Sequence, residues 1–233
     1  LQSLNEVACY FPLDFSLELL QRAVSEIIKT TWLFNPNHPF KIKAIHGDFN
    51  NLIRYKPVYS FEPGRNLFSL VGYTFGNYIE SELIGKIYEG MEIGDLLLVD
   101  ARLHDSDKSD FRKLSIDDKE KMLFNYRSAL NNQFAFGPIE AVTTAEHRTT
   151  KFEYRIDNSL TVVPNAINVI TYCENLTTKF RHNFKTIRRK KIDLAFTTFY
   201  NFTSLENWFR DKEFFVLWSK KISSTGIFLL KKY

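Results

Sequence analysis

The sequence predicts an α/β fold built on an open, doubly wound sheet. Three observations support this prediction. The first half of the chain alternates short apolar runs with segments of helical periodicity. The apolar runs are nearly continuous, which is typical of strands that are covered on both faces. The chain has 233 residues, of which 44% are apolar and 25% charged, so it is long enough for one sizeable domain or a domain with an insertion.

Four strands and two helices are predicted in the first 104 residues. The first strand, at 7–13, precedes a helix that is capped by Ser16. The apolar residues of this helix follow helical spacing and are Leu17, Leu20, Val24, Ile27 and Ile28. A second strand ends at Asp48, where a Gly-Asp-Phe turn begins. The remaining elements are a strand at 67–71, a helix at 79–88 and a strand at 96–103.

The pattern changes after residue 104. Ser115 and Asp118 resemble a capping pair for the helix that follows them. Alternating stretches after residue 150 favour antiparallel strands. A helix at 204–210, with Ser204 near its cap, and a hairpin at 214–233 are expected to rejoin the sheet. The predicted organisation is a partial α/β domain at 1–104, an inserted α+β region at 105–200 and a closing segment at 201–233.

Charge alone does not identify a partner. The formal net charge of +4 neither demands nor excludes an anionic ligand. The stretch 179–191 holds seven Lys or Arg residues, with Phe180 and Phe184 between them, and such a pattern could follow a phosphate backbone. A run of this kind is more often the solvated face of a strand pair, so nucleic acid is not the expected partner.

Other features bear on compartment, membranes and metals. Cys9 and Cys173 lie in apolar or alternating stretches and are predicted to be buried, reduced thiols, which indicates the cytoplasm. No apolar run reaches the ~20 residues of a membrane span, so no membrane partner is expected. The five histidines lack metal-ligand spacing, and no metal is expected. His104 is interpreted as a surface residue rather than a base. The sequence does not indicate an oligomeric state.

Polar residues follow three of the predicted strands. Asp14, Asp48 and the turn at 72–77 all fall at strand ends, and in an open α/β sheet such ends form one ligand-binding crevice. Asp14 could accept both hydroxyls of a ribose, while Asp48 with Phe49 could bind an adenine amino group and its ring. The spacing equally allows Asp14 to cap its helix and Asp48 to make a turn. Asp100 is interpreted as a turn or cap acceptor rather than a catalytic base.

Four segments carry a resemblance to a known family: "YFPLDFSLELLQRA", "IHGDFNNL", "LFSLVGYTFGN" and "MEIGDLLLVDARL". Their order resembles that of the S-adenosylmethionine-dependent methyltransferases of the ergothioneine-pathway histidine Nα-methyltransferase family. The stretch "MLFNYRSALNNQF" and the tail from Tyr200 are similar to later segments of that family, so the resemblance covers nearly the whole chain. Its most specific part is the pattern G-x-T-x-G-N at 72–77.

The resemblance implies a Rossmann-like class I methyltransferase sheet, S-adenosylmethionine as cofactor and a small-molecule methyl acceptor. The residues that it places at the cofactor are Asp14 at the ribose, Asp48 and Phe49 at the adenine, and Gly72 close to the methionyl part, with Tyr73 and Thr74 as further cofactor-binding residues. Asn77 would face the substrate amine. Methyl transfer from a sulfonium is an in-line displacement, so the protein mainly aligns the reactants, and no catalytic residue is assigned.

Two departures from the family pattern shape the expected substrate and activity. Family members carry an earlier strand with a glycine-rich loop, and the corresponding segment is not part of this sequence. We therefore expect this sequence to be the C-terminal portion of a longer protein. Thr197 and Phe199 stand where the histidine-specific enzymes have Glu and Ser, and Leu114 stands where they have a tyrosine. Histidine is therefore not the expected substrate, and Asn77, Thr197 and Phe199 are predicted to bind another amine. The alternative is a non-catalytic or regulatory module that keeps the fold.

Overall fold

The computed structural model describes residues 9–34, 41–60, 64–104, 115–124, 151–179 and 186–233. The chain divides into two compact units, which are described separately. Unit 1 comprises Leu1–Leu67 and Leu83–Leu96, and unit 2 comprises Phe68–Glu82 and Leu97–Tyr233. The predicted α/β class is confirmed, since helices accompany both parallel and antiparallel strands. The predicted boundaries at residues 104 and 200 remain a prediction.

Unit 1 contains two parallel strand pairs and the helices that follow them. The elements are β1 (Cys9–Tyr10), β2 (Leu13–Asp14), α1 (Leu17–Phe34), β3 (Lys41–Ile42), β4 (Ile45–His46), a 3₁₀ turn (Phe49–Asn51) and α2 (Leu52–Tyr59). Pro12 interrupts the first predicted strand because it has no amide hydrogen for the ladder. The two segments nevertheless run alongside each other, with the amides of Lys43 and Ile45 donating to the carbonyls of Tyr10 and Pro12 at 2.9 and 2.8 Å.

Helix α1 begins where the sequence predicts, but its apolar face is covered only in part. The Leu19 amide donates to the Ser16 hydroxyl at 3.3 Å, which confirms the cap. Leu20 is buried, whereas Leu17 and Ile28 are 50% and 46% exposed. The five apolar positions thus lie on a helix, as their spacing predicts, but two of them are about half exposed. An 18-residue helix is about 27 Å long, and two pairs of two-residue strands are too small to cover it.

A four-stranded sheet contains the next strands. Its order is β10-β11-β6-β5, with β5 at Leu67–Leu70, β6 at Leu96–Arg102, β10 at Phe214–Ile222 and β11 at Thr225–Lys232. Helix α3 (Glu80–Gly90) connects β5 to β6 along the chain. The Leu96 amide donates to the Asn66 carbonyl, and the amides of Gly72 and Tyr73 donate to the Asp100 carboxylate, so β5 and β6 run in the same direction.

The closing segment joins this sheet as predicted. Helix α5 (Phe202–Asp211) precedes the antiparallel hairpin of β10 and β11, and β11 lies next to β6. The N-cap of α5 is Asn201, whose side chain accepts from the Ser204 amide at 3.0 Å, so the helix begins two residues before the predicted start. Among the described helices, none is both long and apolar enough to cross a membrane.

A three-stranded antiparallel sheet completes unit 2. It has the order β7-β8-β9, with β7 at Lys151–Asp157, β8 at Ile167–Lys179 and β9 at Thr186–Phe199. This confirms the predicted antiparallel strands. The end of β9 reaches β6 through a parallel bridge between Leu103 and Tyr200, where the Tyr200 amide donates to the Arg102 carbonyl at 2.9 Å. Helix α4 (Ile116–Phe124) begins with the predicted capping pair, because the Asp118 amide donates to the Ser115 hydroxyl at 3.1 Å.

The core of unit 2 is aromatic. Phe75, Tyr200 and Phe209 are fully buried, and the Phe75 ring lies 5.4 Å from that of Tyr200 and 5.5 Å from that of Phe209. Cys173 is also buried, as predicted, while Cys9 of unit 1 is half-buried, and neither forms a disulfide in the described part of the chain. The aromatic core lies directly beneath the turn that carries the G-x-T-x-G-N pattern, because Phe75 belongs to both.

Candidate functional site

The two predicted cofactor carboxylates of unit 1 lie at the ends of neighbouring parallel strands. Strands β2 and β4 pair with Asp14 opposite His46, and the Gly47 amide donates to the Asp14 carbonyl at 3.0 Å. Asp48 follows directly and begins the 3₁₀ turn, of which the half-buried Phe49 is the first residue. The predicted placement of Asp14 and Asp48 at one strand edge is therefore observed.

Both carboxylates also make the local contacts of the alternative interpretation. Asp14 Oδ1 accepts from the Ser16 amide at 2.7 Å. Asp48 Oδ1 accepts from the amide and the side-chain nitrogen of Asn50, each at 2.8 Å. All three bonds use Oδ1, and within the described residues Oδ2 of each carboxylate has no hydrogen bond. Each side chain thus stabilises its own turn through Oδ1.

In unit 2, a strained turn follows β5. Gly72 has φ 76° and Tyr73 has φ 63°, so two consecutive residues adopt the left-handed conformation. A Cβ on Gly72 would meet nothing within 4 Å, and the positive φ is therefore what requires glycine there. The Asp100 carboxylate accepts from both turn amides, at 2.9 Å from Gly72 and 2.8 Å from Tyr73. Asp100 is a turn acceptor, as predicted.

The side chains of Tyr73 and Thr74, which were expected at the cofactor, contact other parts of unit 2. The Tyr73 hydroxyl lies 2.8 Å from the Thr225 hydroxyl, and the Arg102 guanidinium lies 4.6 Å from the centroid of the Tyr73 ring. The Thr74 hydroxyl donates to the Val71 carbonyl at 2.9 Å. These contacts hold the turn in shape. Their proposed role at the cofactor remains a prediction.

Gly76 is required for a different reason than Gly72. A Cβ at this position would lie 2.8 Å from the Thr198 carbonyl oxygen, which is closer than real Cβ atoms approach. The glycine therefore lets the turn pack against the backbone of β9. The close neighbour of Gly76 is thus a strand of the same unit.

Two of the three residues predicted to bind the substrate, Asn77 and Thr197, contact each other. The Thr197 hydroxyl donates to Asn77 Oδ1 at 2.9 Å. Phe199 lies two residues further along β9 and so projects from the same face of the sheet as Thr197. Asn77 is exposed, while Thr197 and Phe199 are half-buried. Leu114, the other position that bears on the substrate, lies outside the described residues.

Sequence reasoning missed a buried carboxylate close to this pair. Glu80, the first residue of α3, is fully buried and accepts from the Tyr200 hydroxyl at 2.9 Å and the Thr161 hydroxyl at 2.8 Å. Burial first, and then the charge and hydrogen bond of Glu80, raise the pKa of Tyr200 well above its ordinary value. In sequence, Glu80 reads only as an acidic residue in the first turn of a helix, so no pattern signals its burial.

Three further predictions concern residues outside the Asn77–Thr197 contact. His104 is buried, and its Nε2 donates to the Asn165 carbonyl at 2.8 Å, so the surface interpretation is wrong. Most side chains of the basic run at 179–191 lie outside the described set, but Lys191 Nζ lies 3.8 Å from the centroid of the Tyr172 ring. Across the described ranges, no group of three His, Cys, Asp or Glu side chains could hold a metal ion.

Comparison with known proteins gives structural likeness only. No protein-family model and no curated protein matches the chain. An S-adenosylmethionine-dependent methyltransferase from Clostridium acetobutylicum is 9% identical to this chain, with a TM-score of 0.42. The alignment covers 95% of this chain and 74% of the Clostridium chain. A Methanosarcina mazei structure described as S-adenosylmethionine-dependent methyltransferases is 8% identical to this chain, with a TM-score of 0.39. The alignment covers 99% of this chain and 85% of the Methanosarcina chain. A protein from Pyrococcus horikoshii is 11% identical with a TM-score of 0.40, covering 96% and 73%.

All three TM-scores lie below 0.5, and likenesses of this size do not identify a function. None of the three descriptions names the histidine Nα-methyltransferase family.

Proposed function

We propose that the natural protein containing this chain is an S-adenosylmethionine-dependent N-methyltransferase of a small molecule, an amino acid or amine other than histidine. The observation that carries the proposal is the turn at 72–77. It follows a strand end, is fixed by the Asp100 carboxylate and ends on Asn77, which contacts Thr197 on β9. The two ends of this turn are the positions at which the family resemblance expects cofactor and acceptor.

The carboxylates of unit 1 support the same proposal. Asp14 and Asp48 follow neighbouring parallel strands, where ligands of open α/β sheets bind. The Oδ2 atom that each carboxylate keeps is suited to a ligand hydroxyl or amino hydrogen, because an ionised carboxylate only accepts hydrogen bonds. Half-buried Phe49, next to Asp48, offers a ring to a flat base. These are the groups needed for an adenosine.

The Asn77–Thr197 contact supports the proposed acceptor class. Since Asn77 Oδ1 already accepts from Thr197, the side-chain amide hydrogens are left to donate to the substrate, for example to a carboxylate or carbonyl oxygen. Phe199 presents an aromatic ring on the same face of β9. Neither Thr197 nor Phe199 offers a negative charge to an imidazole. An amine that carries an apolar or aromatic group fits these side chains better than histidine does.

The cofactor would supply a methyl group on a positively charged sulfur, and this chain's residues would align the amine with it. Within the turn, Asp100 fixes the backbone at Gly72 and Tyr73, and Thr197 fixes the side chain of Asn77. Alignment is the main contribution that these groups can make, because methyl transfer needs an unprotonated amine and an in-line approach rather than a strong acid or base.

The proposed cofactor binding is tested by calorimetric titration. S-adenosylmethionine is titrated into the full-length natural protein and into its Asp14→Asn and Asp48→Asn variants. Asparagine keeps an oxygen for the Ser16 or Asn50 amide, so the local turn survives while the charge is lost. Losing one charge-assisted hydrogen bond costs about 1.5 kcal/mol or more, so each variant should bind at least ~10-fold more weakly. Asp117→Asn, on the exposed first turn of α4, is the matched control and should bind as the parent does.

Equal affinity of both variants and the parent would refute the assigned roles of Asp14 and Asp48. If the full-length parent protein itself does not bind the cofactor, the non-catalytic module becomes the better proposal. The local bonds of both carboxylates to their own turns favour that second candidate.

The acceptor arm is tested with S-adenosylmethionine carrying a radiolabelled methyl group and a panel of amino acids and amines. We expect label to be transferred to amines with apolar or aromatic side chains and not to histidine. Thr197→Val removes the hydroxyl that holds Asn77 while it keeps the side-chain volume, and it should raise the acceptor KM more than the cofactor KM. Transfer to histidine alone would contradict the proposed acceptor class.

A further inference from the structure

We propose that Glu80 is a positioning residue, an inference that rests on the proposed function. Its buried carboxylate holds the acceptor-binding pair of Asn77 and Thr197 in place without touching either reactant. Glu80 follows Asn77 by three residues, and its partner Tyr200 follows Thr197 by three residues. The same two segments of chain therefore carry the exposed pair and the buried pair.

The hydrogen bonds of Glu80 tie three segments of unit 2 together. Its Oε1 accepts from the hydroxyls of Thr161 and Tyr200 at 2.8 and 2.9 Å, and its Oε2 lies 3.4 Å from the amide of Val162. Each of these partners can donate, so the carboxylate is matched by donors alone. A buried charge that is satisfied in this way cannot shift without leaving its partners unpaired, and it therefore fixes the loop and the two segments to each other.

Besides the ring contact of Phe75 with Tyr200, three contacts join residues 76–80 to residues 197–200. Gly76 packs on the Thr198 backbone, Asn77 bonds to Thr197, and Glu80 bonds to Tyr200. The first is a steric fit and the second is an exposed hydrogen bond. Only the third is a buried, charged contact.

The difference in burial indicates that the Glu80–Tyr200 contact, and not the Asn77–Thr197 contact, fixes the position of the turn against the end of β9. A hydrogen bond open to water contributes little by itself, because water competes for both partners. Tyr200 is fully buried, with its ring 5.4 Å from that of Phe75, and its hydroxyl has the Glu80 carboxylate as acceptor. The Asn77–Thr197 pair is thus expected to depend on Glu80, whereas Glu80 does not depend on the pair.

The test is the pair of side-chain amide signals of Asn77 in ¹⁵N-labelled full-length protein, recorded for the parent, Glu80→Gln and Tyr200→Phe. Gln keeps the shape but adds a donor where the three partners also donate, and Phe removes only the hydroxyl. We expect the Asn77 signals to shift or broaden in both variants. The control is Leu230→Ala, a fully buried position of β11, which should lower the melting temperature at least as much and leave these signals in place.

Unchanged Asn77 signals in both folded variants would overturn the proposal, and so would an equal change in Leu230→Ala. Tyr200→Phe keeps the test decisive if Glu80→Gln does not fold. With an amine that the parent protein methylates, Glu80→Gln should raise the acceptor KM at least fivefold and leave the cofactor Kd within twofold. If the Asn77 signals move but no amine in the panel is methylated, the positioning contact stands and the proposed function fails.

Discussion

Replacing Gly76 by alanine tests how the turn is held against β9. The added Cβ would lie 2.8 Å from the carbonyl oxygen of Thr198 and 3.4 Å from its amide nitrogen. Both neighbours are backbone atoms of a strand, so neither can move aside as a flexible side chain would. The turn must shift away from β9, and the 2.9 Å hydrogen bond between Asn77 and Thr197 should lengthen or break.

The expected cost follows from these two effects. Forcing one extra methyl group into a packed contact costs about 1–3 kcal/mol. The exposed hydrogen bond adds about 0.5 kcal/mol, the lower end of the usual range, because water replaces it in part. We expect a loss of about 1.5–3.5 kcal/mol in the free energy of unfolding. In a chain of this size that corresponds to a melting temperature lower by roughly 3–14 °C.

Denaturant unfolding and thermal melting of the parent chain and Gly76→Ala measure this difference. The matched control is Gly85→Ala in the exposed middle of α3, where an added Cβ would meet nothing within 4 Å. Alanine favours a helix over glycine by about 0.5–1 kcal/mol, so this control should be more stable than the parent. If Gly76→Ala were as stable as the parent while Gly85→Ala behaved as expected, the close packing of the turn on β9 would be refuted.

Three further outcomes are expected. Asp100→Asn should lower the free energy of unfolding by about 1–2 kcal/mol in denaturant titrations, because it weakens two charge-assisted bonds to the turn amides; an unchanged midpoint would contradict this. Burial, followed by the charges of nearby carboxylates, raises the pKa of Tyr59 to about 12. The free energy of unfolding should therefore fall as the pH rises from about 10 to about 12, because the unfolded chain loses the Tyr59 proton at a lower pH than the folded chain does. In Tyr59→Phe this fall should be shallower. Asn201→Ala should destabilise the chain by about 1 kcal/mol, whereas Asn201→Ser, which keeps a capping oxygen, should cost only a few tenths.

Strand ends and the turns after them could be predicted from the sequence, because local chemistry decides them. The placement of Asp14 beside the Asp48 turn needs only two parallel strands whose apolar runs end there. The role of Asp100 as a turn acceptor was predicted as well, because an ionised carboxylate only accepts hydrogen bonds, although the turn that it contacts lies 27 and 28 residues earlier in the chain. The final hairpin was signalled by the Ser-Ser-Thr-Gly turn between two apolar stretches.

Long-range packing could not be predicted in the same way. The packing of Gly76 on the Thr198 backbone, where an added Cβ would lie 2.8 Å from the carbonyl oxygen, joins residues 122 positions apart, and no local pattern of either segment signals the other. Glu80 is a normal first-turn residue of a helix, and its burial depends on Tyr200 arriving from a distant strand. Periodicity predicted helix α1 but not the exposure of Leu17 and Ile28, because it shows which face of a helix is apolar and not how far that face is covered.

The turn at 72–77 shows how one sequence pattern can serve both folding and ligand binding. A left-handed tyrosine costs about 1–2 kcal/mol, and the two amide bonds to Asp100 offset a cost of that size. The residues that first suggest a ligand, Tyr73 and Thr74, therefore keep the turn in a conformation that it would not adopt alone. At the end of the turn, Asn77 is held by the hydrogen bond from Thr197. Alignment of an amine for methyl transfer requires such a fixed group, so the structural contacts of the turn support the proposed function instead of competing with it.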